Sequence, residues 1–308
     1  MRNKKILPTL IFTVIAAAMF AVILIGDLGF FTAERNEAVL GNWGKKELAV
    51  KKQIVMPSSG IEKFVLAEWA RNIYIEGGDE GEIKIDLLCS KDGDYRFNPQ
   101  KGIIENKGGA KVIIEALHAV LPSGCSIFLS SPETNISISE INAEEIQVNA
   151  GILDLFVNSV AASGNLIVNA GNASLKIEDS DFGRIKCLLS CGEMSVSEIH
   201  TDHFDGELSH GNCLFKNGFY GRFKVKQISG YIQFDNNSFK QLEADSTAGI
   251  LYFYRNIIES LELNMKSGLL SFEENEILRE KIKLRNTKAE TDRPYLLNRD
   301  SKTVIQNF

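Results

Sequence analysis

The chain has 308 residues, 44% of them hydrophobic and 24% charged, a composition that supports a buried core and excludes disorder throughout. Thirty-four Lys and Arg stand against 40 Asp and Glu, so the net charge is −6 and no bulk positive field exists to hold nucleic acid by counterion release. Six prolines, 25 glycines and two tryptophans exclude collagen-like and low-complexity classes.

The first five residues carry Arg2, Lys4 and Lys5 and read as a basic cytoplasmic tail. An uncharged run then begins at Ile6 and closes at Gly26. At about 1.5 Å per residue it matches the roughly 30 Å hydrocarbon core of a bilayer, so one transmembrane helix is expected at 6–26, with the lipid bilayer as its partner. Asp27, Glu34 and Glu37 follow with only Arg35, which keeps the N-terminus inside and sends the remainder out. The alternative is a signal peptide that is cleaved to give a secreted chain. The small residues Ala16, Ala17 and Ala18 lie mid-run, however, and cleavage there would leave an apolar new terminus.

Residues 27–50 read as a spacer. Between 51 and 125, period-2 stretches such as Asn72-Ile73-Tyr74-Ile75-Glu76 and the one beginning Glu82-Ile83-Lys84-Ile85 alternate with turn signals at Gly77-Gly78, Asp92-Gly93 and Gly108-Gly109. They predict irregular first coils that cap one end of a more regular array.

From 126 to 284 the chain repeats. Gly151, Gly171, Gly192, Gly211, Gly230, Gly249 and Gly268 are separated by 20, 21, 19, 19, 19 and 19 residues. Two residues after each stand Leu153, Ala173, Met194, Cys213, Ile232, Leu251 and Leu270. Four after stand Leu155, Leu175, Val196, Phe215, Phe234, Phe253 and Phe272. All fourteen are apolar where composition alone predicts about six, and the alternation is that of strands. Gly206, Gln227 and Ser246 break the same alternation ahead of the glycines. A unit this short cannot bury its own inward face, whereas stacked units bury a continuous column. The fold class expected is therefore all-β: a right-handed parallel β-helix, or β-solenoid, with coils of about 19 residues, preceded by the one transmembrane helix. Phe215, Phe234, Phe253 and Phe272 should form an internal ladder, and Phe204, Phe223, Leu242 and Leu261 a second column. The glycines mark one corner. Asn158, Gly218, Asn237, Asn256 and Asn275 mark another, as residues that tolerate a left-handed backbone. Residues 285–308 read as a C-terminal tail.

The order of apolar anchor, alternating strands such as Asn72 to Glu76, Leu121-Pro122-Ser123-Gly124, then Gly-x-apolar-x-apolar turns resembles the bacterial putative adhesin family, a β-strand-repeat domain of unknown function in envelope proteins. The resemblance covers about 51–284. Family members often carry Gly-Asp-Ile at the repeat turn, where this chain has triplets such as Gly151-Ile152-Leu153 and Gly249-Ile250-Leu251. The resemblance implies a non-catalytic exported domain linked to adhesion or envelope stress, and it transfers no active site.

Candidate chemistry is sparse. Cys187, Cys191, His200, His203, His210 and Cys213 cluster in sequence, and Cys191 and His210 fall in one column, which makes them the candidates for a metal site. Their column mates Ala150, Ala170, Ser229, Ala248 and Ser267 describe a small-residue corner instead, so no metal and no cofactor is expected. Five cysteines cannot all pair within the chain, and their apolar contexts suit small core residues. Asp154, Asp179, Asp181 and Asp205 could serve glycan hydrolysis only if two faced each other across a cleft, and short coils leave little chain to wall one. The outward residues Tyr231, Ile250, Tyr252, Tyr254 and Leu269 form the candidate binding patch, for an envelope protein or a glycan. The function expected is a non-enzymatic, membrane-anchored interaction or adhesion module of the bacterial envelope. The alternatives are a self-assembling envelope scaffold and a glycan-active β-helix enzyme.

Overall fold

A computed structural model describes residues 50–78, 81–89, 95–107, 113–291 and 304–307. The membrane segment expected at 6–26, and all but the last residue of the spacer, lie outside the described residues. No helix among the described residues is long and apolar enough to cross a membrane.

The elements are β1 (Val50–Pro57), β2 (Lys63–Leu66), β3 (Asn72–Gly77), β4 (Glu82–Cys89), β5 (Tyr95–Asn98), β6 (Ile103–Asn106) and β7 (Ile114–Leu121). They continue with β8 (Ser126–Ser139), β9 (Asn142–Ala143), β10 (Ile146–Asn158) and β11 (Ala161–Lys216), which runs unbroken through almost three coils. The chain goes on through β12 (Phe219–Asp235), β13 (Ser238–Tyr254), β14 (Ile257–Ile258), β15 (Leu261–Met265) and β16 (Gly268–Glu273). Last come β17 (Glu276–Ile277), β18 (Glu280–Leu284), β19 (Thr287–Thr291) and β20 (Val304–Asn307). Together they form a β-solenoid of about nine turns with a spacing of about 19 residues. In the coil that begins at Ile257 its three walls separate cleanly into β14, β15 and β16.

Parallel pairing stacks each coil on the last, with Phe215 opposite Phe234, Phe234 opposite Phe253 and Phe253 opposite Phe272. The four rings are buried, with successive centroids 5.4, 4.8 and 4.8 Å apart. The second column starts with Phe204 and Phe223 stacked at 4.5 Å, and Leu242 and Leu261 extend it in register. Rings of the two walls meet edge to face, Phe204 on Phe215 at 84° and Phe223 on Phe234 at 83°. This is the arrangement that aromatic quadrupoles favour, and each fully buried ring contributes about 1.5–3 kcal/mol from burial alone. The short wall supplies a third column that alternation alone did not reveal: Thr201, Tyr220, Phe239 and Ile258, all buried. Gly206, one of the breaks in the alternation, has a steric reason, since a Cβ there would lie 2.9 Å from the Phe204 ring.

At the glycine corner the stacked backbones approach too closely for any side chain. A Cβ on Gly230 would sit 1.9 Å from the Gly211 carbonyl oxygen, and φ there is +130°. The asparagine corner differs from its expected role. Glu140, Ser159, Asp179, Glu198, Asn217, Asn236, Arg255 and Glu274 form the left-handed column, with φ between +43° and +55°, one position before Asn237, Asn256 and Asn275 and one after Asn158. Asn237, Asn256 and Asn275 turn inward and are buried. The Asn256 amide donates to the Phe234 carbonyl (2.9 Å) and to Asn275 Oδ1 (2.9 Å), while its own Oδ1 accepts from the Asn237 backbone N–H (3.0 Å). The amides thus satisfy corner backbone groups that the strand ladder leaves over. Asn158 pairs with Glu178 in register and stands outside this buried column, whose place in its coil is taken by Val160.

At the N-terminal end, β2 and β3 still stack in parallel on β8, but β4 runs antiparallel to β7 and β1 antiparallel to β4. The buried Ile83, Ile85 and Leu87 of β4 close the core there. At the other end the ladder continues past Leu284, where the repeats were expected to stop: β19 pairs in parallel with β16 and buries Ala289, and β20 pairs in parallel with β19.

Replacing Asn256 with Ala strands the Phe234 carbonyl and the Asn237 N–H, and should cost about 2–4 kcal/mol in urea denaturation. Asn236→Gly, at a left-handed position in the preceding coil, should stay within about 1 kcal/mol of the parent.

Candidate functional site

Outward positions of the wall formed by β12, β13 and β16 carry the candidate patch. Register places Tyr231, Ile250 and Leu269 in one column, with Tyr252 between Gln233 and Ser271 and Tyr254 between Asp235 and Glu273. Strand alternation turns these side chains out, while Ile232, Phe234, Leu251 and Phe253 between them enter the core. The five expected residues are therefore brought together on one face.

Their tyrosines are held rather than loose. Tyr231 OH donates to Gln233 Oε1 (2.8 Å), and Tyr252 OH donates to Glu273 Oε2 (2.7 Å). The rings of Tyr252 and Tyr254 lie nearly parallel, 13° apart, at 6.3 Å. The Arg255 guanidinium covers Tyr254 at 4.6 Å and is itself fixed by Glu274 at 2.6 Å. Tyr254 thus has Tyr252 and Arg255 as neighbours, and the band also carries the aliphatic Ile250 and Leu269. Sequence reasoning passed over Glu273, Arg255 and Glu274. The nineteen-residue spacing of Arg255 and Glu274 was the signal that would have found that pair.

Burial, then the bond to Glu273, pushes the Tyr252 phenol above its ordinary range. Burial alone does the same to Tyr220 in the core. Both phenols are raised in the folded state, so the stability they contribute is intact below the ordinary value of 10.0 and is lost as pH climbs above it.

The other candidates are dispersed. Cys191 is exposed, and His210 Nδ1 lies 2.7 Å from Ser229 Oγ in the next coil. No group of three or more His, Cys, Asp or Glu among the described residues is arranged to hold a metal ion. Cys89, Cys125, Cys187 and Cys213 are buried free thiols, and burial pushes Cys125 and Cys187 up to about 12, far from the thiolate a nucleophile needs. Asp205 is bound by Arg184 Nε (3.1 Å), and Asp181 lies 3.8 Å from His200.

No family model and no curated protein matches this sequence. Solved structures similar to it include a putative adhesin from Parabacteroides distasonis, at 10% identity and TM-score 0.42, covering 79% of this chain and 97% of that one. A putative cell adhesion protein from Clostridium sporogenes is 11% identical, covers 67% and 98%, and has a TM-score of 0.29. A putative adhesin from Parabacteroides merdae is 12% identical, covers 84% and 97%, and has a TM-score of 0.33.

Substituting Glu273 with Ala removes one of the causes that raise Tyr252. An alkaline absorbance titration, with Tyr252→Phe to assign the transition, should show Tyr252 ionising at lower pH than in the parent. An unmoved transition would mean that burial alone sets it.

Proposed function

We propose that the chain is a non-catalytic, membrane-anchored interaction module of the bacterial cell envelope, in which a partner protein docks on the band of Tyr231, Ile250, Tyr252, Tyr254 and Leu269. The anchor is the apolar run at 6–26, and the solenoid lies on the outer side of the membrane. The observation that carries the reading is the band itself, in which the column of Tyr231, Ile250 and Leu269 adjoins Tyr252 and Tyr254 on one outward wall. The column Asp205, Lys224, Glu243, Glu262 and Lys281 on the adjacent wall is of the usual solvated kind, with Lys281 bound to Glu262 at 2.6 Å.

Tyrosines suit this role because they lose little conformational entropy on docking, and here hydrogen bonds and ring contacts have already taken much of that loss. The choice of a protein over a sugar as occupant of the band follows from ring geometry. A pyranose stacks on a free aromatic face, whereas the Arg255 guanidinium covers a face of Tyr254 at 4.6 Å. Tyrosines with aliphatic neighbours match the apolar centre of a protein interface.

The triple substitution Tyr231→Ser, Tyr252→Ser and Tyr254→Ser should reduce capture of the partner from intact envelopes more than about tenfold, as hot-spot tyrosines do, while circular dichroism stays β-rich. Undiminished capture by the triple variant would remove the band from the interface. Deleting 6–26 should move the chain from the membrane fraction to the soluble one.

A further inference from the structure

The last coil ends on an open strand edge. β19 has β16 on one side and β20 on the other, whereas β18 pairs with β15 alone and β17 with β14 alone among the described residues. β18 therefore presents a row of unpaired backbone N–H and C=O groups on the side away from β15. Just ahead of it Leu278 is 65% exposed, more than any other large hydrophobic side chain among the described residues.

Side chains along this edge are sorted by charge. Ile282 and Leu284 are buried, while Arg279, Lys281, Lys283 and Arg285 are all exposed. A similar row occupies the same columns inside the stack, at Arg222, Lys224 and Lys226 of β12. There carboxylates answer it from both neighbouring coils: Glu207 reaches Lys226 at 3.3 Å from one side, and Glu243 reaches Lys224 and Arg222 from the other. The β18 row has the inner half of that arrangement, with Lys281 bound to Glu262 at 2.6 Å. No strand answers it from the outer side, and Arg279 and Lys283 make no ion pair among the described residues.

We infer that β18 is a docking edge for an acidic extended segment of a partner protein, which adds as the next strand and sets carboxylates beside Lys281 and Lys283. Backbone hydrogen bonds supply the affinity and alternate side chains the selection. Charge excludes a second copy of this chain. Neither β1 nor β20 carries a carboxylate, β1 adds Lys51 and Lys52, and β18 laid antiparallel on another β18 about Ile282 sets Lys281 against Lys283. Lysines that blunt an edge against such pairings still admit a strand of opposite sign. A polyanion without a peptide backbone would answer the charges but leave the C=O groups of the edge unpaired. Glu280 stands in register with Leu261, at the end of the column of Phe223 and Leu242, so a hydroxyl on the partner's inward face fits there better than hydrocarbon. The edge belongs to a different wall from the tyrosine band and stands or falls without it.

The test is fluorescence anisotropy of the full chain with three labelled octapeptides, (Glu-Thr)4, (Lys-Thr)4 and (Glu-Pro)4. (Glu-Thr)4 should bind saturably and about tenfold or more tighter than the others, because one has the wrong sign and the other has the charge but lacks half of the backbone N–H groups. Lys281→Glu combined with Lys283→Glu, both at exposed positions, should reverse the preference to (Lys-Thr)4. By hydrogen exchange, β18 of the free chain should exchange faster than β12, which is paired on both sides, and (Glu-Thr)4 should slow it. The triple serine variant of the band should bind (Glu-Thr)4 as the parent does. No saturable binding of (Glu-Thr)4, equal binding of (Glu-Pro)4, or an unreversed preference in the folded double variant would overturn the proposal. Slow exchange at β18 in the free chain would mean that its edge is already covered, and self-association lost in the double variant would put a second copy there; either result also overturns it.

Discussion

Coil-to-coil hydrogen bonding in matched register is the constraint on which the other features depend. Most residues of β12 sit between the residues at their own position in the coils on either side. A side chain therefore has to be able to stack on its equivalent. Phenyl rings do so at 4.8 Å, carboxamides do so by donating along the column, and glycine does so where the neighbouring carbonyl leaves no room for a Cβ. A polar side chain inside such a column is costly unless its neighbour can pair with it, and Thr134, Gln227 and Ser246 each carry a buried polar atom left without a partner.

This constraint explains what was legible in the sequence. Equal spacing with alternating polarity exposes a column directly, so the period, the walls containing Phe234 and Phe223, and the outward position of Tyr252 could all be read without coordinates. Asn256 could not be read correctly. Its residue type fits either a left-handed corner or a buried amide ladder, and the two differ by one residue in where the backbone turns over. The corner proved tolerant: Glu198, Arg255 and Glu274 occupy the left-handed positions, because once coils stack above and below, tertiary pairing overrides local preference. The wall containing Tyr220 escaped notice because its strands are as short as Ile257–Ile258, too brief for a period-2 signal.

The outward face is where the fold exerts least control. Inward columns are held to apolar or amide stacking, whereas outward columns vary from the charged run at Asp205 and Lys224 to the one that carries Tyr231, Ile250 and Leu269. Function written on such a molecule is therefore written in side chains on a fixed lattice. The same regularity joins the described coils from Ile146 to Thr291 without long loops.

The near-identity of successive coil interfaces also bears on how a molecule of this kind changes over generations. Phe219 to Asn237 and Ser238 to Asn256 meet their neighbours in the same way. Duplication or excision of one such segment by unequal recombination leaves every remaining junction chemically familiar. The rod can thus gain or lose reach in steps of a single layer, with no new packing problem for selection to solve.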